Sequence, residues 1–314
     1  MNIIHKLEKK KFNNIIVTGG AGFIGNHLIK KLSKISKKIF VIDNYSTGYN
    51  KSFPKNVVLI KKDCKDKSSL KSLNKYKFDS VVHLAGVSSV EASFDDPVND
   101  ANSNIVSTIN MLNFVKKKKI RNFVYASSMC VYGKLKQNIA EIQKKEPISF
   151  YGLSKITAEK YISFFETSKT SKIILRLFNV YGPGADSKNK KHGMFGIYLE
   201  QMLNAKKILV KGSLSRYRDF IYIDDVLSII IKSMSINDNK SHIYNVCTSK
   251  KIVIKNLLNY LSSELKMKKK IISKGNTPGD QFGIYGNNRK IKKKLKIKKF
   301  ISIKEGIKKI IKTI

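Results

Sequence analysis

The sequence predicts an α/β fold, a doubly wound parallel sheet with a smaller C-terminal substrate lobe. Three observations predict it. Short β-branched apolar runs alternate with stretches of helical length, the first run feeds a glycine-rich turn, and the alternation loosens beyond residue 178.

The strand candidates, in order, are Ile15 to Thr18, Ile39 to Ile42, Val57 to Ile60, Val81 to Leu84, Phe123 to Ala126 and Ile173 to Leu177. Between them Gly25 to Ser36, Asn102 to Lys118 and Ser154 to Ser168 are long enough for helices, so right-handed β-α-β crossovers are expected. Past residue 178, Gly182-Pro183-Gly184, Gly212 and Pro278-Gly279 mark loops. Phe220 to Val226 and Ile243 to Val246 read as strands returning to the first lobe. The expected division is a dinucleotide lobe over 12–177 plus about 216–246, and a substrate lobe over about 178–215 plus 247–314. In the tail from Lys290 to Lys312, Ile291, Leu295, Ile297, Ile303, Ile307 and Ile310 alternate with lysine. Core packing is the expected job of these apolar residues.

The formal net charge of +40 raises the possibility of a nucleic-acid partner. Only five of the 62 basic residues are arginine (121, 176, 216, 218 and 289), whereas base readout and bidentate phosphate recognition favour arginine. The lysines are also spread along the chain, as solvated positions are. We therefore expect no nucleic-acid partner. No run of apolar residues is long enough for a membrane span, and no export signal is read at the start. Cys64, Cys130 and Cys247 lie far apart without metal-ligand spacing, so no metal site is expected and a reducing cytoplasm fits.

Ile15-Ile16-Val17-Thr18-Gly19-Gly20-Ala21-Gly22-Phe23-Ile24-Gly25 places a buried strand, a glycine turn and a helix start in succession. Gly19 permits the tight turn, Gly22 lets backbone N–H groups approach a pyrophosphate, and Gly25 lets the helix pack on the strand. This is the dinucleotide-binding turn of a Rossmann sheet. Asp43 stands 18 residues beyond Gly25, where its carboxylate accepts ribose hydroxyls and repels a 2′-phosphate. The residues that follow, Asn44, Tyr45 and Ser46, include no arginine, so NAD is favoured over NADP. Asp63, after the third strand, is placed either to meet the adenine or to cap a turn.

Tyr151 and Lys155 are four apart at a helix start and share a face. A phenol titrates near ~10, but a neighbouring ammonium and a cationic nicotinamide favour the phenolate, and Tyr151 could then take a hydroxyl proton while hydride leaves the same carbon. Upstream, Phe123 to Gly133 is a strand running into a hydroxyl-rich end, Ser127-Ser128. His83, at a strand end beside small residues, reads as a packed, hydrogen-bonded group.

With the glycine turn, Asp43, the serine-rich strand end and the Tyr-x-x-x-Lys pair in that order, the chain resembles the extended short-chain dehydrogenase/reductases, and among them the nucleotide-sugar epimerases and dehydratases. Nearly the whole chain takes part, through His83-Leu84-Ala85-Gly86, Asn104, Arg176 to Pro183 and Arg218 to Val226. The resemblance implies Ser128, Tyr151 and Lys155 as the catalytic group. It implies a cofactor site of Gly19, Gly22, Phe23, Ile24, Gly25, Asp43, Asn44, Asp63, Cys64, Leu84, Ala85, Gly86, Asn104, Tyr151 and Lys155. For the nucleotide sugar it implies Ser88, Ser128, Met129, Tyr151, Asn179, Arg218 and Asp280, with Asn179 and Arg218 on the diphosphate, and it implies a homodimer.

Dehydratases of this family carry Asp-Glu after the catalytic hydroxyl, and here those places hold Met129 and Cys130. The resemblance therefore implies a 4-epimerase, with NAD⁺ taking and returning the C4 hydride around a 4-keto sugar. Two alternatives stand beside it. One is a keto-sugar epimerase/reductase using Cys130 and His192, which the NADPH preference of that class and the NAD preference of Asp43 disfavour. The other is an NAD-binding protein without turnover, against which Ser128, Tyr151 and Lys155 stand. Where many epimerases have Arg-Pro-Gly-Asp, this chain has Thr277-Pro278-Gly279-Asp280, so one expected anion clamp is replaced.

Overall fold

The first six apolar runs expected as strands, and Ile243 to Val246, pair into one parallel sheet in the computed structural model, which describes residues 12–135, 138–167, 169–184, 193–279 and 281–314. Its strands are β1 (Phe12–Thr18), β2 (Ser36–Ile42), β3 (Val57–Ile60), β4 (Ser80–His83), β5 (Asn122–Ser128), β6 (Ser171–Leu177) and β7 (Ser241–Val246). Their spatial order is β7-β6-β5-β4-β1-β2-β3, all neighbours parallel.

Successive side chains on a strand point to opposite faces, so continuous apolar runs imply cover on both sides. Ile15, Val17, Ile39, Val41 and Val82 pack into one layer with Leu28, Ile29 and Leu32 of α1 (Phe23–Leu32). Ile16, Phe40, Ile42, Val81 and Phe123 pack into the other, against α2 (Ser107–Lys118) and α3 (Phe150–Phe164). The helix expected over 102–118 opens as a wide π turn at Asn102–Val106 before α2.

α4 (Met194–Asn204), α5 (Ile223–Ser233) and α6 (Ile254–Leu265) add Phe195, Tyr198, Val226, Ile230, Leu257 and Leu261 to the first layer. The lysine-rich tail forms α7 (Arg289–Leu295) and α8 (Ile303–Ile311). There Ile291, Leu295, Ile307 and Ile310 are buried in the same core while Ile297 and Ile303 pack against it, as their spacing predicts.

One reading is corrected. Of Phe220 to Val226 only Phe220–Tyr222 is extended, and it pairs with Asn179–Tyr181 outside the main sheet. Ile223 opens α5, with Asp224 and Asp225 in its first turn, where carboxylates suit the positive end of the helix dipole. The apolar residues Ile223, Val226, Leu227 and Ile230 follow helical spacing, a period that the first few residues alone do not reveal. Ile243 to Val246, by contrast, lies in β7.

β1 and β4 are adjacent, and the chain winds outward from them in opposite directions. The carboxyl ends of these two strands form the switch-point crevice of a doubly wound sheet.

Candidate active site

The glycine turn sits at that crevice. Gly19 has φ +69°, and a Cβ there would lie 2.8 Å from the Ala85 backbone nitrogen, so the turn and the end of β4 approach as only glycine permits. A Cβ on Gly25 would collide with the Gly19 carbonyl oxygen, which is how closely α1 packs on the turn. Among the described residues no side chain caps α1, whose N-cap is Gly22; its first N–H groups, those of Phe23 and Ile24 included, suit an anion.

Asp43 follows β2 and is locked against the turn: Ala21 N donates to its Oδ2 (2.8 Å) and Tyr45 N to its Oδ1 (2.8 Å). Burial raises its pKa, and these two N–H donors pull it back. Asp63 takes the capping role of the two expected of it. It accepts from Lys65 N (2.9 Å), capping a turn, and from Asn44 Nδ2 (2.7 Å), tying together the two loops at the adenosine end. Cys64 is buried beside it, and burial pushes its thiol up to about 12.

At the end of β4, His83 is the packed group its position predicts. Its Nδ1 meets Thr18 Oγ1 (2.6 Å) and its Nε2 meets Thr108 Oγ1 (3.2 Å); burial, then the charge of Lys155, lower its pKa to about 3. Leu84 N donates to Thr18 O (3.2 Å) and Ala85 N to Thr18 Oγ1 (3.1 Å), which aligns Leu84, Ala85 and Gly86 along the crevice. Ser88 is exposed at the mouth of this segment.

β5 ends in Ser128, a buried hydroxyl that accepts from Cys130 N (3.2 Å) and starts a short turn carrying Met129. α3 starts at the N-cap Ser149, whose hydroxyl accepts from Gly152 N (3.1 Å). Gly152 lets the helix press onto that turn, since a Cβ would lie 2.6 Å from Cys130 O. Tyr151 thus faces Ser128, and Lys155 follows one turn later on the same helix. Lys155 is 4% exposed, donates from Nζ to Ala126 O (3.0 Å) and lies 4.9 Å from the Tyr125 ring and 5.8 Å from the Tyr151 ring.

Burial lowers Lys155 to about 8, with Asp100, Glu159 and Cys130 opposing the shift. Burial likewise pushes the Tyr151 phenol well above its ordinary value, Cys130 adds to this, and the facing Ser128 hydroxyl offsets part of it. The expected phenolate rests on Lys155 and a cationic nicotinamide together; without the nucleotide, burial holds the phenol in its neutral form.

On the substrate side, Asn179 Nδ2 contacts Met129 Sδ (3.5 Å) and donates to Asp219 O (3.1 Å). Arg218 is 1% exposed and donates to Tyr217 O (2.8 Å), Phe282 O (3.2 Å) and Gln281 O (2.6 Å), so its guanidinium braces the 281–282 segment. Asp280 and His192 lie outside the described residues.

Two groups that no motif singled out belong to the site. Asp100 is buried beneath it, one helical turn before Asn104, and Glu159 is one turn after Lys155. The four-residue offset puts each on the face of its motif residue, but no local signal marks either as buried.

A protein of this architecture binds a dinucleotide across the switch point and carries out proton chemistry on a hydroxyl beside the nicotinamide. Residues 15–247 match the family model described as NAD dependent epimerase/dehydratase family, and the chain belongs to that family. It is 32% identical to the Methanocaldococcus jannaschii protein named "Putative UDP-glucose 4-epimerase", over 95% of this chain and 97% of that one. The UDP-glucose 4-epimerase of Thermotoga maritima, solved with UDP-glucose, superposes with TM-score 0.89 at 30% identity, covering 95% of this chain and 97% of that one. The UDP-glucose 4-epimerase of Thermus thermophilus, solved with NAD, superposes with TM-score 0.86 at 26% identity, covering 95% and 98%.

The residues fit NAD. The uncapped α1, the anchored Asp43 and the Lys155 ammonium offer partners for pyrophosphate and ribose, while the buried Asn104 Oδ1 and Asp100 Oδ2 have no hydrogen-bond partner among the described residues.

Proposed function

We propose that this chain is an NAD-dependent nucleotide-sugar 4-epimerase acting on a UDP-sugar. The observation that carries the reading is the buried Ser128, Tyr151 and Lys155 cluster at the switch point, followed by Met129 and Cys130 where elimination of water would need an acid and a base. The Thermotoga maritima relative, solved with UDP-glucose, supports the substrate class. Bound NAD⁺ supplies a reversible hydride acceptor at C4 and a second positive charge beside the phenol.

With the charges of Lys155 and bound NAD⁺ beside it, Tyr151 would ionise and, as the phenolate, take the C4 hydroxyl proton and return it, while Ser128 would donate a hydrogen bond to the same oxygen. Lys155 holds positive charge next to both. Met129 and Asn179 line the sugar side, and Arg218 orders the segment beyond Asp280. Asp43 accepts the adenosine ribose hydroxyls and selects against a 2′-phosphate. Residues 12–177 with about 216–246 form the cofactor lobe, and about 178–215 with 247–314 form the substrate lobe.

Incubation with a panel of UDP-sugars and chromatography of the products tests this. The expected result is interconversion of a 4-epimer pair without added reductant; net NADPH consumption with a 4-keto sugar would replace the reading with the Cys130-dependent reductase.

The exposed faces of the helices under the site support a homodimer. Val98 (69% exposed), Val106, Leu153, Tyr161 and Phe164 (85% exposed) present apolar surface on neighbouring helices, more than a lone solvated face carries. Sedimentation of the wild type as a dimer and of Leu153→Glu as a monomer is expected. Among the described residues no helix is long and apolar enough to cross a membrane, and a cytoplasmic location is part of the proposal.

A further inference from the structure

Lys155 is sparsely partnered for a buried ammonium. Among the described residues it makes one hydrogen bond, to Ala126 O, although it carries three donors. In its neighbourhood are two buried oxygens that have no hydrogen-bond partner among the described residues, Asn104 Oδ1 and Asp100 Oδ2. They are linked, since Asn104 Nδ2 donates to Asp100 Oδ1 (3.0 Å) and to Val87 O (3.1 Å). Gly86 marks the meeting place: a Cβ there would collide with Asn104 Oδ1 and lie 3.5 Å from Lys155 Nζ. Asp100 is 1% exposed on the short helix Pro97–Ala101, which packs against α3.

We infer that Asp100 is a positioning residue for the reaction: with Asn104 it fills the open side of the Lys155 ammonium, directly or through one water, and keeps that group charged and aimed at the cofactor ribose and Tyr151. The inference rests on the epimerase reading of the site. A carboxylate serves here because a buried ammonium without an anion loses its proton. Burial raises the Asp100 pKa, and Ser154, Lys155 and Asn104 pull it back.

The other groups facing Lys155 leave this task to Asp100. Glu159, on its own helix, is bound to Arg176 and Ser127. Tyr151 and Tyr125 have phenols raised by burial, and His83 is neutral for the same reason. Cys130 contributes a thiol from the turn after β5, acting on Lys155 in the same direction as Asp100 but more weakly.

The test compares pH profiles of the NAD-loaded wild type, Asp100→Asn and Asp100→Glu, read as kcat/KM for a UDP-sugar and, separately, as NAD affinity by calorimetry. Lys155 works as the cation, so activity falls as pH rises through its pKa; a nearby anion raises that pKa. Asp100→Asn should therefore move the alkaline limb and the midpoint of NAD affinity down by about one pH unit or more. Asp100→Glu, which keeps the charge, should hold both near the wild-type position. Coincident profiles for wild type and Asp100→Asn, or equal shifts for Asn and Glu, would overturn the inference. Should Asp100→Asn not fold, Asp100→Ser carries the same expectation. If the wild type turns over no UDP-sugar, the epimerase reading fails, and the NAD titration still decides the role of Asp100.

Discussion

Arg176 and Lys155 are buried cations on neighbouring elements, and the protein treats them in opposite ways. Arg176 on β6 is saturated. It makes a bidentate contact with Glu159 (2.6 to 3.2 Å) and also donates to Tyr132 Oη (2.8 Å) and Glu141 O (3.1 Å). Tyr132 in turn donates to Asn245 on β7 (2.6 Å), and Ser127 on β5 donates to Glu159 (2.5 Å). Burial pulls the Arg176 pKa down, but Glu159 more than offsets it, whereas burial leaves Lys155 at about 8. A cation whose hydrogen bonds are complete fixes geometry, here the position of α3 on β5, β6 and β7. One whose hydrogen bonds are incomplete keeps donors for a ligand, and the difference separates the frame of this site from its chemistry.

The largest effects should divide along that line. Tyr151→Phe should lower UDP-sugar turnover about 10²–10⁴-fold, the range for removing a positioned acid–base group, with an unchanged melting temperature. Lys155→Met should also abolish useful turnover at a smaller cost in stability than Glu159→Gln, because burial already disfavours the Lys155 charge and Asp100 can take up a proton. Glu159→Gln should do the reverse first. Leaving the Arg176 guanidinium without its anion should cost about 3–5 kcal/mol in urea denaturation, and any activity loss should follow from unfolding. Equal stability of the Lys155 and Glu159 variants would break the distinction.

A middle-sized effect is expected in the pH dependence of the wild type. With Lys155 near 8, kcat/KM should be level below that pH and fall up to tenfold per unit above it. Lys155→Arg, whose guanidinium stays charged, should lack that limb even if its rate is lower. An unchanged limb in Lys155→Arg would assign the titration to another group.

The frame and the chemistry were unequally legible in the sequence. Tyr151, Lys155, the glycine turn and Asp43 could be read because each answers to a local rule: a turn needs glycine, and a helix face repeats every four residues; Ser128 was singled out from Ser127 only by the family resemblance. The six strands feeding the cofactor side were legible for the same reason, as buried parallel strands are nearly continuous apolar runs. The helix start at Ile223 was misread because a helix begun by four residues that also suit a strand declares its period only later. Arg176 and Glu159 show the other limit. Their pairing joins residues from different elements, and only the strand order brings β6 beside α3; nothing local distinguishes Glu159 from a solvated helix carboxylate. Asp100 was hidden likewise, since its burial depends on how the helix Pro97–Ala101 packs under α3.

The smallest effect sharpens the comparison most. Ser127 precedes the catalytic Ser128, yet its side chain points to the opposite face of β5 and gives its hydrogen bond to Glu159. If the Arg176 network is a frame, Ser127→Ala should remove one bond from a carboxylate that keeps its others, costing about 0.5–1.5 kcal/mol in urea denaturation and leaving kcat within about twofold. If Ser127 instead belonged to the chemistry, kcat would fall as it does for Ser128→Ala while stability held. Adjacent serines on one strand, one answering to stability and the other to rate, would show that the boundary between frame and chemistry runs through the sheet itself.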